Sequence, residues 1–394
     1  MADFLPFLAV SPGPTVADRV ITKPFDRYSD RDKAEELKGN PFSFLHVILA
    51  KSHASESRRQ AFNRFLENGY LTKSSSPVYA VYRQIQEHGC FTGFVGLMPV
   101  GSEAKYNQIK RHEATLVRKE ALLAEYLDET NLNAEPALLT FDSTAESQAL
   151  LAVLTQDPPD IHVELPGFGK HQVWWIQDPN QQQQIRSVFE PLPGVYIADG
   201  HHRISSSRRL AVQRFQHHQN PNAADQFVLV ACFPSTEARI FPYHRMVKSV
   251  PTDFLVRLSK QLNVEVKIEL GDYLEPTHNR WMMHWAGQWY RFYIDVPLPQ
   301  HVLPAEWLNE HVLAPILNIH DLTSDKNIGF VGGCLSAEQL IQALQSANYE
   351  LLFALPPVEF KQFFSIVNQG RLMPPKSTWF EPKLPSALAM YDMA

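Results

Sequence analysis

A short apolar run at residues 195–198 leads into the segment richest in chemistry, which reads Asp199-Gly200-His201-His202-Arg203. The apolar run predicts a buried strand, and the basic segment at 204–216 predicts a helix directly after it. A glycine at such a junction lets the backbone approach a ligand closely, and the first N–H groups of a helix attract anions. Two histidines and an arginine add side-chain donors. The segment therefore predicts a binding site for a phosphate or a carboxylate.

The same residues also fit a plainer interpretation, in which the Asp-Gly pair is a turn and helix cap and the histidines lie on the surface. Zinc binding by His201 and His202 fits less well, because adjacent histidines at the start of a helix point in different directions. No nearby cysteine or glutamate has the spacing of a zinc motif. We therefore assign no metal ligand from the sequence.

Two other segments combine prolines with polar side chains. Pro242 precedes Tyr243-His244-Arg245, which is either a ligand contact or an ordinary exit from a strand. Pro374 and Pro375 predict a rigid turn. This turn offers Lys376, Ser377 and Thr378 as phosphate or substrate donors, or it is a structural strap with a solvated lysine.

Composition places the chain among globular proteins and argues against nucleic acid as a partner. The 394 residues are 44% hydrophobic and 20% charged, and 36 basic against 42 acidic residues give a net charge of −6. Such a chain has no overall positive field for a nucleic-acid backbone. The arginines of the 204–216 segment then predict a solvated helix face. Three widely spaced cysteines, no secretory signal and no long apolar run indicate a cytoplasmic protein that does not enter a membrane.

The pattern of elements predicts a mixed α/β protein of the α+β class. Antiparallel hairpins are expected at 78–100 and 281–294, a buried strand-like run at 41–50 and a surface loop at 181–184. We expect a first domain at 1–250 and a second at 251–394, with 373–386 returning to the site. The predicted helices cover residues 30–37, 57–66, 116–127, 204–216, 254–262, 305–317, 337–347 and 358–370.

Asp199-Gly200-His201-His202-Arg203 resembles the D-G-H-H-R signature of a bacterial and archaeal family of unknown function, related to the ParB/sulfiredoxin-like fold and to free-serine kinases. Further blocks similar to this family extend the resemblance over essentially the whole chain. These blocks are Pro24-Phe25-Asp26, residues 40–47, Arg111-His112-Glu113, Pro242-Tyr243-His244-Arg245 and residues 373–378.

The resemblance implies a ParB/sulfiredoxin-like core, elaborated with hairpins and a helix-rich C-terminal part. In such proteins the loop-to-helix corner grips nucleotide phosphates. His201 stands where sulfiredoxins carry their reacting cysteine, so thiol chemistry is not expected. His112-Glu113 is similar to the His-Glu element of free-serine kinases, whose glutamate is the general base. That element begins a helix in the kinases, and here it precedes the predicted helix at 116–127.

These resemblances imply phosphotransfer between a nucleotide, ATP or ADP with Mg²⁺, and a small hydroxylated metabolite, possibly free serine or phosphoserine. A phosphatase acting on a small phosphate ester and a non-catalytic nucleotide- or metabolite-binding protein are the alternatives. The expected partner is a small phosphorylated molecule, and the oligomeric state is left open. The expected catalytic residues are Glu113, Asp199 and His201. The expected phosphate- or substrate-binding residues are His112, Gly200, His202, Arg203, His244, Arg245, Lys376, Ser377 and Thr378.

Overall fold

The computed structural model describes residues 2–50, 56–262, 266–294, 298–299 and 301–394. The chain divides into two compact units, Met1–Ala238 together with Pro382–Ala394, and Arg239–Glu381. The sequence placed the boundary after residue 250. The division falls earlier because residues 239–247 form strands that pair with other strands of the second unit. Within the described residues, no helix has the length and apolar character needed to cross a membrane.

The strands of both units are numbered in chain order. They are β1 (Ala9–Pro12), β2 (Leu71–Lys73), β3 (Tyr79–Gln86), β4 (Gly89–Pro99), β5 (Ile109–Lys110), β6 (Leu132–Asn133), β7 (Ala137–Phe141), β8 (Ile161–Leu165), β9 (Gly169–Ile176), β10 (Val195–Asp199), β11 (Phe227–Pro234), β12 (Arg239–Phe241), β13 (Tyr243–Val247), β14 (Val266–Leu270), β15 (Arg280–Trp285), β16 (Gln288–Ile294), β17 (Ile328–Gly332), β18 (Leu351–Ala354), β19 (Trp379–Glu381) and β20 (Met390–Asp392).

The α-helices are numbered in the same way. They are α1 (Ala17–Val20), α2 (Asp30–Gly39), α3 (Leu45–Ile48), α4 (Arg58–Glu67), α5 (Glu103–Tyr106), α6 (Val117–Thr130), α7 (Ala145–Leu154), α8 (Pro179–Phe189), α9 (His201–His218), α10 (Phe254–Leu262), α11 (Pro304–Leu308), α12 (Ala314–Leu317), α13 (Ala337–Ser346) and α14 (Phe360–Asn368). A π-helical turn, Asn309–Leu313, connects α11 to α12.

The first unit is built on an eight-stranded sheet in the order β5-β10-β7-β11-β4-β3-β9-β8. β10 runs parallel to β5 and antiparallel to β7, whereas β3, β4, β9 and β8 form antiparallel neighbours. The predicted hairpin at 78–100 is therefore confirmed, as is the mixed α/β class. Aromatic rings fill the core beside this sheet, where Phe4 stacks on Phe189 with ring centroids 4.1 Å apart.

The end of the chain is part of the first unit. β20 pairs with β1 and β6 in a four-stranded sheet, order β2-β1-β20-β6. The Asp392 carboxylate, with a side chain only 3% exposed, lies 2.6 Å from Arg59 Nη1 and 2.6 Å from Lys73 Nζ. These ion pairs hold the last strand in place.

The second unit contains a six-stranded antiparallel sheet in the order β14-β16-β15-β18-β13-β17. The predicted hairpin at 281–294 is confirmed as β15 and β16. Trp281 is fully buried, stacks on Phe292 and meets Trp307 edge-on. These rings form the centre of the core of this unit.

Two local predictions are wrong. The apolar run at 41–50 forms α3, because a short buried run has no periodicity that separates a strand from a helix. The glutamines at 181–184 lie inside α8 and not in a loop. Asp178 caps α8 by accepting hydrogen bonds from the Asn180 and Gln181 N–H groups at 2.9 Å, and its buried face carries Ile185 and Phe189. The capping signal outweighs the polar composition.

Candidate functional site

The junction between β10 and α9 has the geometry that the sequence predicted. β10 ends at Asp199, Gly200 has a left-handed backbone with φ +92°, and α9 begins at His201. A Cβ atom on Gly200 would lie 3.1 Å from Arg203 Nε and 3.3 Å from Ala137 Cβ. Glycine is therefore required both by the backbone conformation and by the close approach of its neighbours. The first N–H groups of a helix lack intrahelical partners, so this end of α9 favours an anion.

Asp199 lies between two cations. Its Oδ2 is 3.4 Å from Arg203 Nη2 and 3.7 Å from Lys383 Nζ, and its side chain is 42% exposed. Burial raises the pKa of Asp199, but the charges of Lys383, Arg203 and His201 and the N–H of Gly200 together bring the pKa below its usual value. Asp199 is an ionised carboxylate that faces solvent on one side.

Arg203 connects three segments of the first unit. Its Nη1 lies 2.8 Å from Glu135 Oε1 and also donates to the Pro136 carbonyl oxygen, while Nη2 faces Asp199. A guanidinium has five N–H donors in a fixed plane. The N–H groups of Arg203 that contact Glu135, Pro136 and Asp199 fix the position of the Asp199 carboxylate. The expected contact between Arg203 and a phosphate stays a prediction.

His112 and Glu113 lie in the loop between β5 and α6, on the same side of the sheet edge as His201. The His112 backbone N–H donates to His201 Nε2 at 3.5 Å, and the two imidazole rings are 4.4 Å apart and nearly perpendicular. One ligand atom from each of His112, Glu113 and His201 lies within 4.8 Å of the others. Glu113 precedes α6, which begins at Val117, so it lies in the connecting loop and not in the helix.

Both imidazoles of this group are neutral at pH 7. Burial lowers the pKa of His201 to about 4, although Asp199 acts in the opposite direction. Burial and the neighbouring His201 hold the pKa of His112 well below its usual value. Burial also lowers the pKa of His202, which is partly exposed. The positive character of this corner therefore comes from Lys383, Arg203 and the α9 N-terminus.

A mostly apolar cavity of about 370 Å³ opens beside Arg203. Leu123 and Tyr126 of α6 line it, with Ser206 and Ser207 of α9. Its volume falls within the usual range for small-molecule sites. Arg203 lines this cavity and also contacts Asp199, so the cavity and the β10–α9 junction are adjacent.

The other predicted site residues belong to the second unit. Arg245 is fully buried, and its Nη1 donates to the carbonyl oxygens of Tyr243 at 2.6 Å and Lys376 at 3.0 Å. Burial lowers the pKa of Arg245 to about 10. His244 Nδ1 accepts from the Leu355 N–H at 3.1 Å. Arg245 and His244 thus support the interior of this unit, and their contact with a ligand stays a prediction.

The turn that carries the last three predicted residues has its own internal contacts. Lys376 adopts φ +59°, and its ammonium lies 5.5 Å from the centre of the Tyr243 ring. Ser377 Oγ donates to the Pro374 carbonyl oxygen at 2.7 Å, and Thr378 is 8% exposed. The rigid turn expected from the two prolines is present, while its role in binding phosphate or substrate stays a prediction.

Sequence reasoning missed two charged residues of the first unit. Glu135 pairs with Arg203, and Lys383 reaches Asp199 from the segment that returns to the first unit. No motif signals Glu135. The expected return of residues 373–386 contained the signal for Lys383, because the part from Pro382 onward does belong to the first unit.

The first unit is a mixed α/β fold in which β10, the strand beside the edge strand β5, ends at a glycine and a helix N-terminus. Residues 4–314 match the family described as "Protein of unknown function (DUF1015)". The chain belongs to that family. No curated protein matches the chain.

Several solved structures are similar to parts of this fold. A free serine kinase in complex with AMP has 11% identity and a TM-score of 0.37, covering 75% of this chain and 91% of its own. SbnI from Staphylococcus aureus with a C-terminal truncation has 14% identity and a TM-score of 0.38, covering 73% and 82%. A conserved hypothetical protein from Pyrococcus furiosus has 13% identity and a TM-score of 0.36, covering 75% and 95%.

Proposed function

We propose that this protein transfers a phosphoryl group from a nucleotide to a small hydroxylated metabolite, with free serine as the acceptor. The observation that carries this proposal is the position of Glu113. One of its carboxylate oxygens lies within 4.8 Å of ligand atoms of His112 and of His201, the first residue of α9, and His201 in turn interacts with Asp199. A carboxylate at an anion-binding helix start is suited to accept a proton from a hydroxyl group that attacks phosphorus.

The phosphates of the nucleotide would bind at the first turn of α9. Gly200 exposes the backbone there, and the helix dipole favours negative charge. Lys383 and Arg203 add positive charge within 4 Å of Asp199. The resemblance of residues 199–203 to the phosphate-gripping corner of ParB/sulfiredoxin-like proteins supports the same placement.

The nucleoside would occupy the apolar cavity beside Arg203. Tyr126 and Leu123 offer it an apolar wall, and Ser207 lies among its lining residues. Because Arg203 borders both the cavity and the junction, one molecule with an apolar base and a phosphate chain fits this arrangement.

In the reaction, the hydroxyl oxygen of serine forms a bond to the transferred phosphorus while the bond from that phosphorus to the leaving phosphate oxygen breaks. The hydroxyl proton passes to Glu113. The products are O-phosphoserine and the nucleotide shortened by one phosphate. Asp199 is a half-exposed carboxylate and fits as the protein ligand of Mg²⁺, which when bound neutralises phosphate charge.

Phosphorus NMR of the full-length protein with L-serine, Mg²⁺ and either ATP or ADP tests the proposal. We expect O-phosphoserine to form and Glu113→Gln to lower the rate by about a hundredfold or more. Glu125→Gln is the matched control, because Glu125 is exposed on α6, and we expect it to keep the wild-type rate.

The same experiment separates the alternatives. Nucleotide binding by calorimetry with no product would identify a binding protein. Release of inorganic phosphate from O-phosphoserine without a nucleotide would identify a phosphatase. Either result, or equal rates in the two glutamate variants, would overturn the proposal that Glu113 serves as the base of a kinase.

A further inference from the structure

We propose that His112, Glu113 and His201 bind one divalent transition-metal ion, of the class of Zn²⁺ or Co²⁺. One ligand atom of each residue lies within 4.8 Å of the others, and they are the one such group of three among the described residues. Metal binding here stands independently of the proposed function. Its consequence for the reaction, given below, rests on that function.

The donor set determines which metal the site would select. Two imidazoles with one carboxylate are a common ligand set for Zn²⁺ with an open fourth position. Mg²⁺ and Ca²⁺ prefer oxygen ligands, so a site with two nitrogen donors favours a transition metal. Ligand atoms around Zn²⁺ lie about 3–4 Å apart, given bonds of about 2 Å. Side-chain rotation of Glu113 would close the remaining gap.

The surroundings favour coordination. His112 is 1% exposed and His201 is 8% exposed, so water has little access to their ring nitrogens. Coordination through His201 Nε2 would replace the hydrogen bond of 3.5 Å that this atom accepts from the His112 N–H. His112 also hydrogen-bonds with the backbone of Ile197. Histidine ligands usually make such a second hydrogen bond, which fixes the orientation of the ring. Glu113 is half-buried and is the most accessible of the three, so an ion would enter from its side.

A bound transition metal would change the role of Glu113. A carboxylate that coordinates the ion shares its negative charge with the metal and is a weaker base for the serine proton. The metal-loaded protein is therefore expected to be slower in phosphotransfer, and removal of the ion by a chelator, followed by renewed addition of Mg²⁺, is expected to restore activity. The site would then be regulatory.

The test uses the full-length protein stripped with EDTA, with no nucleotide or serine present. Calorimetry with Zn²⁺ is expected to show one tight site per chain, and Co²⁺ is expected to give the visible absorption of a four- or five-coordinate ion. Glu113→Gln and His112→Gln are each expected to weaken binding by more than about tenfold, the usual size of changes even beyond the direct ligands. Circular dichroism would verify that each variant is folded.

His162→Gln is the matched control. His162 is exposed on β8, the edge strand six places from β10 in the eight-stranded sheet. The His162→Gln variant is expected to bind the ion as tightly as the wild type does. Absence of a tight site, or equal loss of affinity in the control and in the ligand variants, would overturn the metal proposal. Because no nucleotide is used, these results leave the test of phosphotransfer untouched.

Discussion

Gly200 has φ +92°, and a methyl group at its Cα would approach the Arg203 guanidinium to 3.1 Å. Left-handed backbone costs an L-residue about 1–2 kcal/mol. We therefore expect Gly200→Ala to lower the free energy of unfolding of the first unit by about 1–2 kcal/mol, measured by urea denaturation.

Gly39→Ala provides the comparison for that variant. Gly39 ends α2, and a Cβ atom there would meet nothing within 4 Å. Alanine is the better helix former, so this change is expected to leave stability equal or slightly higher. Equal destabilisation by the two variants would show that the conformation of Gly200 is not a source of strain.

The strand–glycine–helix junction could be predicted from the sequence because the residues that indicate it are adjacent. Asp199, Gly200 and the basic helix are adjacent along the chain. The neutral state of His201 was not predictable, because its pKa depends on burial by residues from distant parts of the sequence.

The last strand, β20, is held by charge as well as by backbone hydrogen bonds. Asp392 is 3% exposed in its side chain and contacts Arg59 and Lys73. Both cations are more exposed than Asp392, so the loss of their partner is less costly than in a fully buried pair. We expect Asp392→Asn to lower the free energy of unfolding by about 1–2 kcal/mol.

Hydrogen exchange shows which strands are destabilised by Asp392→Asn. The amides of β20 and of its neighbour β1 are expected to exchange faster in Asp392→Asn, while those of β4 stay protected. Asp18→Asn is the control, because Asp18 is exposed on α1. Unchanged exchange in β20 would mean that the backbone ladder alone holds the strand.

Whether a helix or strand could be predicted from the sequence depended on the length and periodicity of its segment. The hairpins β3–β4 and β15–β16 were predicted because two β-rich runs flank a short turn with glycine. The run at 41–50 was read as a strand and folds as α3, since all-apolar short runs carry no period. Helix α8 was not predicted, because the four glutamines at 181–184 suggested a loop and the capping residue Asp178 was not considered.

Across the whole molecule, buried histidines predict loss of stability in acid. His171 of the first unit is fully buried, with Nδ1 at 2.8 Å from the Tyr82 hydroxyl. Burial lowers the pKa of His171 to about 4, and burial lowers that of His244 in the second unit to about 3. In the unfolded chain each would have a pKa near 6.5.

The unfolded state therefore binds more protons than the folded state between pH 6.5 and these lower values. The stabilisation is complete above about pH 6.5 and is lost as the pH falls, by up to about 3 kcal/mol for His171 at pH 4. Urea unfolding at pH 7, 6, 5 and 4 measures the slope of the free energy of unfolding against pH. We expect a smaller slope for His171→Gln and an unchanged slope for His162→Gln, which alters an exposed residue. If the free energy of unfolding depended on pH equally in the wild type, His171→Gln and His162→Gln, the effect could not be assigned to His171.

Through its motifs, the amino-acid sequence indicated membership in a family of unknown function. By itself it also determined the mixed α/β class and the strand–glycine–helix junction at residues 199–203. These follow from local patterns: periodicity, glycine at a chain reversal and a helix that starts beside it. Only the tertiary structure decided that His112, which is 89 positions from His201 in the sequence, and its neighbour Glu113 meet His201, and that Lys383 reaches Asp199. Those contacts result from the packing of the whole first unit. Burial then sets the charge of each imidazole, and no spacing of residue types along a chain encodes burial.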